Sequence, residues 1–431
     1  MRRARVLSMR LLYTLLWYLA LPLLPLRLRW RGRREPGYRA RVGERFGRYA
    51  DDAPRPLGEV VWIHAVSLGE TRAAEPLLRR IARERPHVTM LLTSMTATGR
   101  EAGRALGEAI GGGRVVQAWL PYDLPFAVNA FLDRFAPRAG VLMETELWPN
   151  LVHACRARGV PLHLVNARMS ARSAAGYARF PALTRPMLAA LAGVAAQTSA
   201  DAQRLAALGA RDVAVTGSVK FDVAVPEAMV ALGAALRARC GRDRPVWLAA
   251  STRDGEEALL LDAMAKGALP ADALLLLVPR HPQRFDEVFA LVAARGLPCV
   301  RRTSAAPVER ATRVVLGDSL GEMLAYCAAA DVAFVGGSLL PLGGQNLLEP
   351  IAAGVPTLVG PHTFNFAEVT ERAIEAGAAL RVADADALVA EVGRLLRDPV
   401  LRDTMRAAAA TFMASHRGAA DRLWAWLAPR L

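Results

Sequence analysis

Short apolar runs alternate with helix-length amphipathic segments along most of the chain, and this alternation constrains the fold more than any other feature. Such a pattern is typical of βαβ units and therefore of parallel sheets. The strand candidates fall into two series. The first series covers 60–66, 88–95, 115–120, 139–144, 161–166, 194–198 and 213–217. The second covers 246–251, 274–279, 298–302, 313–317, 332–336, 356–360 and 379–382.

Two series of strands predict two doubly wound domains, and the 431-residue length exceeds what one hydrophobic core usually organises. We place an N-terminal basic segment at 1–48, a first Rossmann-like domain at 49–225 and a second at 240–431, with a connector between them. Two such domains in series predict a cleft lined by the carboxyl ends of both sheets, where ligands bind.

The net charge of +15 is concentrated at the N-terminus. Residues 1–48 hold thirteen arginines and two glutamates, so they supply +11 of that charge. This distribution is typical of a segment beside an anionic bilayer and disfavours a nucleic-acid partner.

An uncharged apolar run at 11–26 lies within the basic segment. At sixteen residues it is shorter than the ~20 that a spanning helix needs, and Pro22 and Pro25 interrupt it. A cleaved signal peptide is disfavoured, because the run has no small-residue cleavage site and leads into arginines. We therefore predict a retained anchor, either spanning or interfacial, that places the remaining chain on the cytoplasmic side.

The sequence predicts no disulfide framework and no metal site. The four cysteines are far apart and form no C-x-x-C pair. Asp384 and Asp386 form a D-x-D pattern, but it precedes a helix candidate, where capping is the favoured role.

Charged residues follow three strands of the first series. Glu70 follows the first strand at a helix start, where a carboxylate is also expected on helix-dipole grounds alone. Glu144 and Glu146 follow the fourth strand; in extended geometry they would share one face, and the alternative is that they cap the next helix. Lys220 follows the last strand, where it is either solvated or directed into the cleft.

The second series offers a candidate phosphate site. Arg280 and His281 directly follow a strand; arginine can grip a phosphate with two donors, whereas His281 is interpreted as a packed loop residue. Gly336-Gly337 and Gly343-Gly344 let the backbone approach a ligand, and a helix starting near Asn346 would aim its N–H groups at a phosphate. The alternative is that these glycines form a purely structural turn. Glu349 could accept hydrogen bonds from ribose hydroxyls.

The chain resembles the Kdo (3-deoxy-manno-octulosonic acid) transferases, a family of metal-independent GT-B glycosyltransferases, over nearly its whole length. The resemblance is carried, in order, by R-x-x-x-G-E-R-F-G, H-A-V-S-L-G-E-T, L-P-Y-D-L-P, M-E-T-E-L-W-P-N, N-A-R-M-S-A-R-S, T-G-S-V-K-F-D, V-P-R-H-P-x-R-F, G-D-S-L-G-E-M, F-V-G-G-S, G-G-Q-N-L-L-E-P and G-P-H-T-F-N-F.

This resemblance implies an inverting transfer of Kdo from CMP-Kdo to the lipid A precursor in lipopolysaccharide biosynthesis, without a cofactor, at the cytoplasmic face of the inner membrane. It implies that Glu70 is the general base and that Glu144 and Lys220 stabilise the transition state. The residues that match the family's CMP-binding segments are Pro279, Arg280, Leu320, Gly321, Glu322, Asn346, Leu347, Leu348 and Glu349. The alternatives are a related enzyme that uses a UDP-sugar and a membrane-tethered nucleotide-binding scaffold without catalysis.

Overall fold

A computed structural model describes residues 2–50, 56, 58–223 and 225–431, with the side chains of 2–8 and 34 left out of the description. The chain divides into two compact units. The first unit comprises Met1–Asp222 and Gly418–Leu431, and the second comprises Val223–Arg417.

The first unit is built on a seven-stranded sheet in which every described pairing is parallel. Its strands are β1 Val60–His64, β2 Thr89–Ser94, β3 Val115–Trp119, β4 Ala139–Met143, β5 Leu162–Ala167, β6 Gly193–Ala196 and β7 Val213–Val215. Its helices are α1 Arg2–Ala20, α2 Leu23–Arg34, α3 Leu68–Glu84, α4 Ala97–Ile110, α5 Pro125–Phe135, α6 Pro149–Ala157, α7 Ala171–Ala178, α8 Pro181–Leu188 and α9 Ser199–Ala207.

The strand order of this sheet is β3-β2-β1-β4-β5-β6-β7. The order reverses between β1 and β4, where Ile63 lies beside Val141 in register. Strands β1 and β4 are buried along their whole length, because helices cover both faces of the sheet. The reversal creates a switch point at the carboxyl ends of β1 and β4, the position at which such sheets bind ligands.

The second unit repeats this architecture. Its strands are β8 Val246–Thr252, β9 Leu274–Pro279, β10 Cys299–Arg301, β11 Val314–Leu316, β12 Val332–Val335, β13 Thr357–Val359 and β14 Ala379–Arg381. Its helices are α10 Glu227–Cys240, α11 Glu256–Met264, α12 Phe285–Ala294, α13 Met323–Ala329, α14 Leu348–Ala352, α15 Ala367–Glu375, α16 Ala385–Arg397 and α17 Pro399–His416. The strand order is β10-β11-β9-β8-β12-β13-β14, which puts the switch point between β8 and β12.

All fourteen strand candidates correspond to observed strands, and the predicted α/β class with two parallel sheets is confirmed. The boundary between the units differs from the one we expected from the sequence. The segment interpreted as a connector contains α10, whose Leu236 and Cys240 are buried in the core of the second unit. A Cβ on Gly233 would lie 2.6 Å from the Cβ of Ala328, so α10 packs very closely on α13.

The C-terminus also departs from the predicted boundary at 431. Helix α18, Ala419–Leu427, packs on the first unit, where Leu423 and Leu427 join the core beside α3. The Asp222 carboxylate accepts hydrogen bonds from the backbone N–H groups of Gly418, at 2.7 Å, and Ala420, at 2.5 Å. The last residues therefore belong to the first unit, a long-range contact that local periodicity does not encode.

The N-terminal helices α1 and α2 are inclined to each other by 56° at a break beside Pro22, whereas Pro25 lies in the first turn of α2. In the described part of the chain, no single helix has the length and hydropathy of a membrane span. The segments Met9–Ala20 and Leu23–Arg33 together have that length and hydropathy, but they form a bent pair. Leu24 and Leu28 pack on Tyr122 and Leu124 of the first unit.

Candidate active site

Glu70 lies in the first turn of α3, six residues after the end of β1 and three residues after Ser67, the N-cap of the helix. Its carboxylate accepts a hydrogen bond from the backbone N–H of Val66 at 2.8 Å and a longer one from the Ser67 hydroxyl at 3.4 Å. Ser67 in turn caps the helix by accepting from the Glu70 N–H. This arrangement resembles a capping box, except that the carboxylate accepts the N–H of Val66, one residue before the cap, and it fixes the carboxylate at the switch point of the first sheet.

Burial raises the pKa of Glu70 to about 8, because one strong backbone donor offsets only part of the lost hydration. The negative charges of Glu144 and Glu146 act in the same direction, and the positive charge of Lys220 opposes them. A carboxyl group with a pKa near the working pH is suited to accept a proton during a reaction.

Glu144 lies directly after β4 and forms an ion pair with Lys220, with Nζ and Oε1 2.5 Å apart. The expectation of an extended backbone at Glu144 is wrong, because its φ of +57° places it in the left-handed region. This turn separates the directions of Glu144 and Glu146, so the two carboxylates do not share a strand face.

Neither Glu144 nor Glu146 caps the next helix, which was the alternative role predicted for them. Asp123 caps this helix, α6, instead. The two oxygens of Asp123 accept hydrogen bonds from the backbone N–H groups of Asn150 and Leu151, at 2.9 and 2.8 Å, at the start of α6. Sequence reasoning missed Asp123, although the Y-D-L-P motif contains it. Glu146 instead accepts a hydrogen bond from the indole N–H of Trp148 at 3.0 Å.

Lys220 is carried by a short 3-10 turn, Val219–Phe221, that packs against α3. The buried side chain of Asn166, at the end of β5, accepts the Val219 N–H at 3.2 Å and holds this turn in place. The structure therefore brings Glu70, Glu144 and Lys220 together from three separate segments of the first unit.

Helix α1 packs against the same region. The ring of Trp17 lies 6.1 Å from that of Trp148 and 5.8 Å from that of Tyr122. The Thr14 hydroxyl donates to the Asn150 side chain at 3.1 Å. The loop that carries Glu144 and Glu146 is thus supported directly by the N-terminal helix.

In the second unit, the predicted CMP-binding residues lie at or after the ends of three strands, β11, β9 and β12, and β8 lies between β9 and β12 in the sheet. Pro279 is the last residue of β9, and the Arg280 N–H donates to the Thr252 carbonyl at 2.9 Å, beside the end of β8. Four consecutive parallel strands bring their loops to one edge, as the sequence predicted.

His281 is exposed, so its interpretation as a packed residue is wrong. Partial loss of solvent and the positive charges of Arg253, Arg280 and Arg284 lower its pKa. This corner of the second unit therefore holds several cationic side chains, one of which, Arg284, is already paired with Asp254, Glu257 and Glu287.

The Leu320–Glu322 segment forms a turn before α13. Leu320 is 71% exposed, and Gly321 has a φ of +78° that favours glycine. Glu322 accepts a hydrogen bond from the Ser319 hydroxyl at 2.6 Å and lies 3.4 Å from Arg302. The turn therefore places an exposed apolar side chain beside a fixed carboxylate.

The glycine-loop helix begins later than predicted. The side-chain oxygen of Asn346 accepts the Leu348 N–H at 3.1 Å, and α14 starts at Leu348 and has only five residues. Leu347 and Leu348 are buried, so their side chains pack inside the second unit, contrary to the expectation that they contact CMP. Glu349 lies in the first turn of α14, as expected.

The D-x-D pattern of Asp384 and Asp386 lies at the start of a helix, where Asp384 is the cap. Asp384 accepts the Ala387 N–H at 2.8 Å at the start of α16, and Asp386 pairs with Lys266. Within the described ranges, no group of three histidine, cysteine or acidic side chains could hold a metal ion. The four cysteines are free.

Comparison with known proteins decides the family. A model of the 3-deoxy-D-manno-octulosonic-acid transferases matches residues 40–223. A 3-deoxy-D-manno-octulosonic acid transferase from Bordetella pertussis is 50% identical over 404 residues, which cover 91% of this chain and 93% of the relative. The chain belongs to the Kdo transferase family. The Haemophilus influenzae member is 38% identical over 98% of this chain and 99% of its own length.

Solved structures support the fold. A glycosyltransferase from Rickettsia africae has a TM-score of 0.54 at 13% identity, covering 86% of this chain and 98% of that structure. The C-terminal CMP-Kdo binding domain of WaaA from Acinetobacter baumannii is 35% identical and covers 44% of this chain and 99% of the domain, with a TM-score of 0.41. On the likeness to the Rickettsia africae structure, this Kdo transferase has the two-sheet architecture of GT-B-like glycosyltransferases.

Proposed function

We propose that this Kdo transferase moves Kdo from CMP-Kdo to a hydroxyl group of the lipid A precursor, with inversion at the anomeric carbon. One observation carries the proposal: Glu70 has a raised pKa and lies at the switch point of the first sheet, together with the Glu144–Lys220 pair. The predicted cleft between two domains stays a prediction.

The reaction is a single displacement. The acceptor hydroxyl oxygen forms a bond to the anomeric carbon of Kdo as the bond from that carbon to the CMP phosphate oxygen breaks. Glu70 takes the hydroxyl proton, and CMP leaves with the electron pair of the broken bond. Inversion requires the base and the leaving group to lie on opposite sides of the sugar.

Glu144 and Lys220 act as a fixed charge pair in this step. The Lys220 ammonium, 2.5 Å from Glu144, offers a positive charge where negative charge develops, and a preorganised charge needs no rearrangement during reaction. Its field also lowers the pKa of Glu70, which increases the ionised fraction of the base.

CMP is assigned to the second unit. Arg280 grips the phosphate with its two-pronged donors, the Leu320–Glu322 turn contacts the nucleoside, and Glu349 accepts hydrogen bonds from the ribose hydroxyls. Asn346, Leu347 and Leu348 supply the backbone that precedes Glu349. We propose that these side chains stabilise the departing CMP without a metal ion or cofactor.

We further propose that α1 and α2 dock the enzyme on the cytoplasmic face of the inner membrane. Both helices expose large apolar side chains: Leu11, Leu12, Leu15, Leu16, Tyr18, Leu19, Leu23, Leu26 and Trp30. Arginines of α2 follow this surface, and an apolar face bordered by cations is suited to an anionic bilayer interface. Docking there would present the lipid acceptor to the loop supported by Trp17.

The decisive assay incubates the full chain with CMP-Kdo and the tetra-acylated acceptor and analyses the lipids by mass spectrometry. A product heavier than the acceptor by one or more Kdo residues supports the proposal. Transfer from a UDP-sugar instead would identify a different donor, and the absence of any product would favour a binding scaffold.

Membrane docking is tested separately by flotation with vesicles that contain phosphatidylglycerol. Replacing Leu15 and Leu19 by glutamate should abolish flotation, because both side chains belong to the exposed apolar surface. Leu259→Glu is the control, since Leu259 is also exposed but lies on α11 of the second unit. Equal flotation of all three proteins would contradict this docking surface.

A further inference from the structure

Glu256 is a fully buried carboxylate at the switch point of the second sheet, with 0% of its surface exposed. It is the first residue of α11, four residues after the end of β8. Sequence reasoning missed it, although R-D-G-E-E directly after a strand is the signal that could have identified it.

Its two oxygens accept four backbone N–H groups. One oxygen accepts from Arg253 at 2.9 Å and from Gly337 at 2.6 Å, and the other accepts from Ser338 and Leu339, both at 3.0 Å. Three of these donors are consecutive residues of the glycine loop that follows β12. Such a run of N–H groups is a typical anion-binding site.

The chain's own carboxylate therefore fills the site that the glycine-loop sequence suggested for a phosphate. A buried carboxylate is stable only when its lone pairs are satisfied, and the buried N–H groups have the same requirement. The N–H groups of 337–339 are thus engaged within the protein, which corrects the expectation that Gly336-Gly337 would cradle a phosphate.

The segment held by Glu256 is hydrogen-bonded to the later part of the same loop. The Gly344 N–H donates to the Gly337 carbonyl at 2.7 Å, and the Gln345 N–H donates to the Gly336 carbonyl at 3.0 Å. Gln345 immediately precedes Asn346, where the predicted CMP-binding segment begins. Gly336 cannot carry a side chain here, since a Cβ would lie 2.6 Å from the Cα of Thr252.

We propose that Glu256 is a positioning residue for the nucleotide donor: it acts as an internal anion that holds the 336–345 loop so that the 346–349 segment can bind CMP. The proposal rests on the proposed function for the identity of the ligand. It requires the carboxylate itself, because an amide at this position would turn an N–H group toward N–H donors.

The test is calorimetric titration of the full chain with CMP, for the wild type and Glu256→Gln. We expect the affinity of the variant to fall at least about tenfold, or ~1.4 kcal/mol. In steady-state assays the KM for CMP-Kdo should rise to a similar extent, while the KM for the lipid acceptor stays unchanged. Glu256→Asp, which keeps the charge but is one methylene shorter, provides a milder variant if the amide impairs folding.

A purely structural role is separated by a control in the core of the second unit. Val392 is fully buried on α16, so Val392→Ala should lower the melting temperature and leave CMP affinity unchanged. Glu256 variants that lose stability but bind CMP as well as the wild type does would overturn the proposal.

Hydrogen exchange distinguishes this inference from the proposed function. The Gly337, Ser338 and Leu339 amides should exchange slowly in the wild type and much faster in Glu256→Gln, whether or not CMP is present. If the wild type shows this protection but does not bind CMP, the assignment of the donor fails while the internal anchor stands. Unchanged exchange at these amides in the variant would refute the anchor itself.

Discussion

The two sheets reverse their strand order in the same way, yet they use carboxylates differently at the two switch points. Glu70, after β1, accepts one short backbone hydrogen bond and a 3.4 Å contact from Ser67. Glu256, after β8, accepts four backbone N–H groups. Glu70 is partly buried and has few donors, whereas Glu256 is fully buried and each of its oxygens is occupied by backbone N–H groups that it holds in place.

The surrounding charges differ as well. In the first unit, Glu144 and Glu146 add negative charge around Glu70, and Lys220 opposes it. In the second unit, Arg253, Arg280 and Arg284 create a positive environment around His281. The first arrangement favours proton acceptance, and the second favours a phosphate ligand.

The largest effect should come from replacing Glu70, the carboxylate that accepts few hydrogen bonds. Glu70→Gln removes the proposed base but keeps an oxygen that can accept the Val66 N–H. Transfer should fall by about 10²–10⁴-fold, the range typical of general-base catalysis, while CMP binding survives. The checks are single-turnover transfer and CMP titration.

Glu75→Gln is the matched control, because Glu75 also lies on α3 but forms an exposed pair with Arg79. Its transfer rate should equal that of the wild type. Near-normal turnover of Glu70→Gln would remove Glu70 from the base role.

Removing the positive charge of Lys220, beside Glu70 and Glu144, should have the next largest effect. Lys220→Ala leaves Glu144 without its ion-pair partner and removes the charge that lowers the pKa of Glu70. We expect about a hundredfold slower transfer at neutral pH and a shift of the pH–rate midpoint to higher pH. Lys266→Ala, which breaks an exposed pair with Asp386, should change neither quantity.

Replacing Glu146 should change the pKa of Glu70 by a smaller amount. Glu146→Gln removes a negative charge that raises the pKa of Glu70, so the midpoint of the pH–rate profile should move to lower pH. Transfer at neutral pH should then rise or fall only a few-fold. A midpoint that moves upward would show that Glu146 does not act on Glu70 through its charge.

The smallest effect on activity is expected for the D-x-D pattern. Asp384→Ala removes the side-chain cap of α16 and should lower stability by about 1 kcal/mol, measured as a fall in melting temperature. Transfer per folded molecule should be unchanged, with and without a chelator. Loss of transfer in a fully folded variant would restore the metal interpretation of this motif.

The sequence predicted the local features of the fold well. Buried parallel strands are continuous apolar runs, so all fourteen were located, and the helix start at Glu70 was visible because S-L-G-E is a capping-box pattern. The charged residues that follow β1, β4 and β7 lie together in the structure, because parallel strands bring their carboxyl ends to one edge of a sheet.

Two of the errors involve contacts between distant segments. The return of α18 to the first unit depends on a hydrogen bond between residues 196 positions apart, and the filling of the glycine loop by Glu256 depends on one between residues 81 positions apart. Glycine pairs indicate that a backbone can approach something closely, but they do not indicate whether the neighbour is a ligand or another part of the chain.

The pH dependence of kcat/KM tests the central claim most directly, because it reports the ionisation of the base in the free enzyme. The raised pKa of Glu70 predicts a rate that increases through a single ionisation with its midpoint near about 8 and then levels off. Residual transfer by Glu70→Gln should lack this ionisation. A wild-type profile that is flat across neutral and mildly alkaline pH, or the same rise in the variant, would contradict the account.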